Sequence, residues 1–346
     1  MNRTMEVIIL SLAYSTFCVG RKTVFAAVPA SSLQTHEFEW IAEEPVLQPR
    51  TLDGVQWIAV KDPSVVRYRD KWHLFCTVRG IERSHAVIYV TFDSWSQAKD
   101  AGQQVLKCHQ GYFCAPQVFY FTPHKKWYIL CQASDESWDP EYGPACSTTV
   151  DITEPDSWGK LTPLFDKKPA NIKGWLDFWI ICDRSRAHLF FTSLNGRMWR
   201  CETSLEKFPH GWSQPVIALQ ADVFEASHTY YLKGQNKYLT LIEAQHGHGW
   251  RYYKAYLADR LNGQWIPLAA ENDKSFASML NVEHQKRWTD VISHGELLRA
   301  GYTERLEVDP DNIRFVFQGV LNRDRAGKKY GLIPWRLGIL KPAPVR

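Results

Sequence analysis

Short apolar runs, broken every few residues by Gly, Pro, Asn or Asp, fill the chain from residue 36 onward. Stretches with a 3.6-residue apolar period are scarce. The runs are instead short, rich in Val, Ile, Phe, Tyr and Trp, and bounded by turn residues, which predicts an all-β fold. They also recur as a unit: a polar marker, a strand, a turn, then a more apolar strand. "DPSVVRYRDKWHLFCTV" starts at Asp62, "APQVFYFTPHKKWYILCQA" at Ala115, "LDFWIICDRSRAHLFFTS" at Leu176 and "FEASHTYYLKGQNKYLTLIEA" at Phe224. A looser fifth copy runs from "VISHGELLR" at Val291 to "IRFVFQGV", which ends at Val320. The starts lie about 50 to 70 residues apart, room for one four-stranded sheet each, so the spacing predicts a five-bladed β-propeller. No Pro-, Gly- or Ser-rich linker divides the chain, and residues 36–342 are expected to form one catalytic domain. The stretch 268–288 breaks the pattern and reads as an insertion between blades four and five that walls the cleft.

Composition changes this picture in one respect. Hydrophobic content of 45% and charged content of 23% are ordinary, but 15 Trp, 15 Tyr and 17 Phe raise the aromatic share to 14%. Aromatic rings suit strands, and their flat apolar faces also stack on sugars. The net charge of +4 is carried by scattered Lys and Arg, which excludes a nucleic-acid footprint. Arg3 followed by the apolar run 7–19 and small residues at Gly20, Ala26, Ala27 and Ala30 predicts a signal peptide over residues 1–30. Cleavage is expected between residues 20 and 31, and the protein is expected to be secreted. No other segment could cross a membrane, and a monomer is expected. Eight Cys show no zinc spacing; Cys108 and Cys114 flank a short loop and could pair.

In a propeller the first strand of every blade lines the axis, so residues at the first-strand mouths converge at one end. Asp62 opens the first copy, Asp177 the third and Glu225 the fourth. Three acids around one funnel are the groups that glycoside hydrolysis needs. One protonates the leaving oxygen, one activates water, and a third raises the pKa of the acid because like charges resist joint ionisation. Asp62 beside Lys61 should stay ionised. Glu225, between Phe224 and small Ala226 and Ser227, is expected in partly apolar surroundings that favour its protonated form. P-loop, GxGxxG, HExxH and GxSxG motifs are all missing from the sequence.

The segments "VKDPSVV", "CAPQVFYFTPHKKWYIL", "WLDFWIICD", "ADVFEASHTYYLKGQNKYLTLIEA" and "WTDVISHGELLR", in that order, resemble the glycoside hydrolase family 62 α-L-arabinofuranosidases, with the related family 43 behind them. The resemblance spans Phe38 to Gln318. It implies a secreted five-bladed propeller that removes arabinofuranosyl groups from arabinoxylan or arabinan with inversion. By motif it makes Asp62 the general base, Glu225 the general acid and Asp177 the pKa modulator. It makes Lys61 and Tyr252 sugar-binding. It puts His294 on the axis, where family members hold a calcium or similar ion through waters; no cofactor serves the reaction itself. Two positions depart from the family. Phe178 stands where Gln is usual, and Ala133 stands where a cleft Trp is usual. Phe178, Trp179 and Trp138 are then the candidates to take part in substrate binding, and the usual arabinoxylan preference is in question. The alternatives are a family 43-like β-xylosidase or arabinanase, or a sugar-binding propeller without catalysis. Asp290 and Glu296 read as structural acids, and 245–253 as a loop at the funnel rim.

Overall fold

The computed structural model describes residues 32–246 and 250–344. The expected signal peptide therefore lies outside the described residues, as does residues 247–249 of the expected rim loop. No helix among the described residues is long and apolar enough to cross a membrane.

Five sheets follow one another along the chain. Blade I comprises Thr51–Leu52, Val55–Tyr68, Lys71–Gly80, His85–Phe92 and Gln103–Val105. Blade II comprises Phe113–Phe121, Lys126–Ser134, Tyr142–Thr149 and Thr162–Pro163; blade III comprises Leu176–Cys182, Arg186–Thr192, Arg197–Ser204 and Val216–Gln220. Blade IV comprises Glu225–Leu232, Lys237–His246, Trp250–Ala258 and Ile266–Ala269, with the short strand Glu307–Val308 added in parallel to its inner edge. Innermost strands of successive blades touch in turn, and the last touches the first, which closes the ring of a five-bladed β-propeller.

Blade V is assembled from both ends of the domain. Ser293–Leu297, Phe315–Gly319 and Arg336–Pro342 come from the C-terminal part. Trp40–Ala42 pairs antiparallel with Arg336–Pro342 and clasps the ring shut without a covalent bond. The expected insertion at 268–288 supplies Val282–His284, which pairs in parallel with Trp40–Ala42. Trp40 anchors the clasp: it is 2% exposed, donates Nε1–H to the Phe276 carbonyl at 2.6 Å, and meets the Phe276 ring edge-on. Trp40→Ala is expected to cost about 3–5 kcal/mol and lower the thermal midpoint by several degrees, read by circular dichroism. An unchanged midpoint would mean that the clasp does not hold the ring.

The core lies between blades, where aromatic and branched residues of facing sheets interdigitate. Each innermost strand carries a bulge at its mouth, and the bulges explain how polar side chains come to face the axis. Lys61, Cys114, Leu176, Glu225 and Ser293 stand opposite Thr77, Gln132, Thr192, Glu243 and Gln318, and regular pairing is lost just after each. The next residue is left-handed in four blades: Asp62 (φ 49°), Ala115 (48°), Asp177 (54°) and Ala226 (52°). Such backbone costs about 1–3 kcal/mol per non-glycine residue and persists only where its surroundings fix it. Here the neighbouring blade fixes it. The N–H freed by the bulge is accepted by a side chain of the preceding blade: Asp62 by Gln318 Oε1 (3.1 Å), Ala115 by Thr77 Oγ1 (2.8 Å) and Asp177 by Gln132 Oε1 (3.2 Å). Ala226 is held by Asp177 Oδ2 (3.0 Å), and His294, in the same place in blade V, by Glu243 Oε2 (2.7 Å). In blade III the Asp177 carboxylate does what Thr192 would do, and the buried Thr192 hydroxyl finds no partner among the described residues.

The three acids are therefore not at identical places. Asp62 and Asp177 occupy the left-handed position, and Glu225 precedes it by one residue. All three still open onto the same end of the axis, because a bulge turns both residues toward it. The seven described cysteines are all free and buried. Cys108 does not pair with Cys114, whose Sγ instead reaches the Tyr112 hydroxyl at 3.1 Å.

Candidate active site

Lys61, Asp62, Asp177, Glu225 and His294 come together at the mouth end of the axis, each no more than 8% exposed. His294 Nδ1 lies 3.3 Å from Asp62 Oδ1 and 4.0 Å from Asp177 Oδ1. The other oxygen of Asp177 takes the Ala226 N–H, next in sequence to Glu225. Blades I, III, IV and V thus contribute to one pocket, as the repeat predicted.

The carboxyls are biased in opposite directions. Burial pushes Asp62 up, but Lys61, with Nζ 3.9 Å from Oδ2, and then His294 and the Thr77 hydroxyl outweigh it and hold Asp62 below its ordinary value. Burial pushes Asp177 well above the ordinary range, and the Glu225 and Asp62 carboxylates push it further. Burial opposes the charge on Lys61, yet Asp62, Tyr330 and Glu225 hold it raised, so it stays a cation. His294 is lowered, chiefly by burial. One site therefore holds one carboxyl kept ionised, Asp62, and one kept protonated, Asp177.

Asp177 carries a stability cost. A carboxyl whose folded pKa is raised binds its proton more tightly in the native state, so native stability falls as pH rises above the unfolded value. Asp177→Asn keeps an acceptor for the Ala226 N–H and cannot ionise in either the folded or the unfolded state. It is expected to raise the thermal midpoint at pH 7 and to flatten the decline between pH 5 and 8. A midpoint lowered at every pH would contradict this assignment.

Glu225 does not have the expected apolar surroundings. Glu243 stands opposite Glu225 on the second strand of blade IV, and Arg251, two residues before Tyr253 on the third strand, reaches both. Arg251 Nη1 donates to Glu225 Oε1 and, at 2.7 Å, to Glu243 Oε1. Its guanidinium sits between the Phe224 and Tyr330 rings, 4.9 and 5.3 Å from their centroids. Tyr330 is 48% exposed as a residue, and its ring also faces Lys61 Nζ, at 5.1 Å. These three residues were missed in the sequence. Strand alternation could have found Arg251, since Arg251 and Tyr253 share one face and Tyr252 the other. An acid inside the apolar run "LTLIEA" signals Glu243. Tyr330 follows the blade V repeat and gives no periodic signal.

Three expected substrate-binding residues are placed elsewhere. Tyr252 points away from the pocket and bonds Asn272 of the 268–288 insertion. Phe178, the residue after the bulge, packs against Trp175 and Phe191 between blades. Trp179 is 1% exposed, donates Nε1–H to the Thr229 carbonyl at 2.8 Å and stacks on His228. A ring that is fully packed in the core has no face left for sugar. Ala133 is buried, and Trp138 stacks on His109 beside a rim cavity of about 320 Å³ at blade II. Glu296 pairs with Arg299 (2.7 Å) and takes the Val65 N–H, and Asp290 holds Arg287 and the Asn322 N–H; both are structural.

A calcium ion at His294 would need oxygen ligands. His294 Nδ1 is turned to two carboxylates, and among the described residues no group of three or more His, Cys, Asp or Glu could hold a metal. The residues present do not fit an ion held by protein ligands.

Residues 39–341 match the model of glycosyl hydrolase family 62. Alpha-L-arabinofuranosidase C of Cellvibrio japonicus is 35% identical over 310 residues, or 87% of this chain; the chain spans 46% of the length of that relative. The solved catalytic domain of a family 62 alpha-L-arabinofuranosidase from Coprinopsis cinerea is 35% identical with a TM-score of 0.83, covering 89% of this chain and 98% of that one. The alpha-L-arabinofuranosidase of Podospora anserina solved with cellotriose is 36% identical with a TM-score of 0.82, covering 89% and 98%. A thermostable family 43 glycoside hydrolase, 17% identical with a TM-score of 0.56, covering 83% and 94%, shares the fold.

Proposed function

The chain belongs to glycosyl hydrolase family 62, and from that premise we propose that it is an inverting α-L-arabinofuranosidase. It removes arabinofuranosyl side groups from arabinoxylan or arabinan. One observation carries this reading: Asp62, kept ionised, and Asp177, kept protonated, face one imidazole nitrogen, while Asp177 also braces the residue beside Glu225.

The chemistry follows from the charges. Asp62 takes a proton from the water that attacks the anomeric carbon, and Lys61 and His294 fix its orientation. Glu225, from the opposite side of the ring of blades, gives a proton to the departing sugar oxygen. Asp177 braces the strand of Glu225 by accepting the Ala226 N–H. Carboxyls on separate blades leave space for water between them, which favours inversion over a covalent intermediate. The three carboxyls are each no more than 8% exposed, which favours a terminal sugar over a continuous chain. Tyr330, half-exposed at the rim, offers a ring to whatever carries that sugar.

Incubation with arabinoxylan, arabinan and arabinogalactan, with products separated by anion-exchange chromatography, tests the reading. Free arabinose from one of the first two is expected. Release of xylose or of oligosaccharides alone would favour a xylosidase or an endo-acting enzyme, and no release at all a sugar-binding propeller.

A further inference from the structure

One sector of the mouth has no polar side chain at its bulge. Blades I, III, IV and V present Lys61 and Asp62, Asp177, Glu225 and His294 there; blade II presents Cys114 and Ala115. Cys114 faces Lys61, Asp62 and Asp177, and burial pushes its thiol up to about 12, so it is neutral and only weakly polar. A furanose carries hydroxyls around its ring. A hydroxyl turned to this sector would lose its water and gain no strong partner from the bulge.

Tyr112 fills the gap. It lies two residues before Cys114 and is half-buried. Its ring meets His85 of blade I edge-on, with centroids 4.9 Å apart, and tilts against Tyr142 of its own blade at 6.3 Å. Its hydroxyl lies 3.1 Å from Cys114 Sγ and accepts Gln132 Nε2–H at 2.8 Å. Gln132 Oε1 accepts the Asp177 N–H at 3.2 Å. One side-chain amide therefore links the phenol oxygen to the backbone of Asp177.

That amide settles where the Tyr112 proton goes. The Asp177 N–H can only donate, so Gln132 turns its oxygen to Asp177 and its NH2 to Tyr112. The phenol oxygen is then an acceptor, and its own proton points elsewhere. Cys114 Sγ is within reach, but sulfur is a weak acceptor. Whichever of thiol and phenol donates, no oxygen or nitrogen among the described residues takes the Tyr112 proton. An accepted N–H also polarises the hydroxyl and makes it a better donor. Resting on the arabinofuranosidase reading, we propose that Tyr112 is a substrate-binding residue: its hydroxyl donates to a hydroxyl oxygen of the arabinofuranosyl group held among Asp62, Asp177 and Glu225. Blade II thereby takes the part in sugar binding that the buried Ala133 cannot.

The test uses p-nitrophenyl α-L-arabinofuranoside and deoxy analogues that each lack one sugar hydroxyl. Tyr112→Phe removes the phenol oxygen and keeps the ring. Gln132 Nε2 keeps Cys114 Sγ at 3.6 Å, so Asp177 stays held. The variant is expected to lower kcat/KM on the intact substrate about 3- to 10-fold, the range for one neutral hydrogen bond. On the analogue that lacks the contacted hydroxyl, parent and variant should have equal kcat/KM; on the other analogues the two losses should multiply. The intrinsic reactivity of each analogue cancels in this comparison. A merely structural role would slow every substrate by the same factor, so losses that multiply on all analogues overturn the proposal. Should Tyr112→Phe fail to fold, Cys114→Ser replaces it: a serine hydroxyl accepts the Tyr112 proton better than a thiol. The loss caused by removing the contacted hydroxyl should then shrink, and losses unchanged on all analogues overturn the proposal. A parent that hydrolyses no arabinofuranoside refutes the functional reading, whereas turnover with losses that multiply everywhere refutes the Tyr112 contact alone.

Discussion

Glu225→Gln is expected to release arabinose from arabinoxylan about 100- to 10,000-fold more slowly than the parent, the range for loss of a general acid. Gln has nearly the same shape and keeps an oxygen for Arg251, so the pocket should stay intact. What it loses is the proton. A xylan hydroxyl is a poor leaving group and needs that proton as the glycosidic bond breaks. A nitrophenolate leaves without it, so loss on p-nitrophenyl α-L-arabinofuranoside should be much smaller. Steady-state rates on both substrates give the ratio that matters. Equal losses on the two would assign Glu225 to sugar binding instead.

Asp62→Asn should lose a comparable factor, about 100- to 10,000-fold, but on both substrates alike. Water must be deprotonated whichever group departs, and an amide cannot accept its proton. The substitution suits the backbone: Asp62 sits at φ 49°, a region Asn enters more readily than most residues. The Gln318 contact is made by the Asp62 backbone N–H and survives. A protein that folds and binds sugar but does not turn over is therefore expected. The contrast in leaving-group dependence between the Glu225 and Asp62 variants separates acid from base without any assumption about affinity.

Much of this geometry was legible in the sequence because it repeats. Turn residues and apolar runs marked five strand pairs, and their recurrence every 50 to 70 residues or so marked the ring. Asp62, Asp177 and Glu225 could be singled out because each opens a repeat, where a strand has no packing use for a carboxylate. Their exact offset could not. It depends on bulges whose left-handed residues are stabilised by side chains of the preceding blade, such as Gln318 acting on Asp62 from 256 positions away. The ring closure by Trp40–Ala42 was hidden for the same reason, since a three-residue strand has no period to detect.

Aromatic residues misled for a physical reason. Phe178 and Tyr252 lie next to site residues in sequence, but neighbours in a strand point to opposite faces. Trp179 and Phe178 complete the packing between blades, and Tyr252 turns outward to the insertion. The residue that does face the pocket, Arg251, is the one before Tyr252. Its charge is matched by Glu243, which reads in the sequence as an acid misplaced in an apolar strand.

The anomeric configuration of the sugar first released tests most directly whether Asp62 and Glu225 act across one pocket with a water between them. Proton NMR recorded in the first minutes of hydrolysis of an α-L-arabinofuranoside should show the β-anomer of arabinose before mutarotation. The α-anomer appearing first would mean that a side chain, not water, attacks the sugar, and would contradict the roles assigned here.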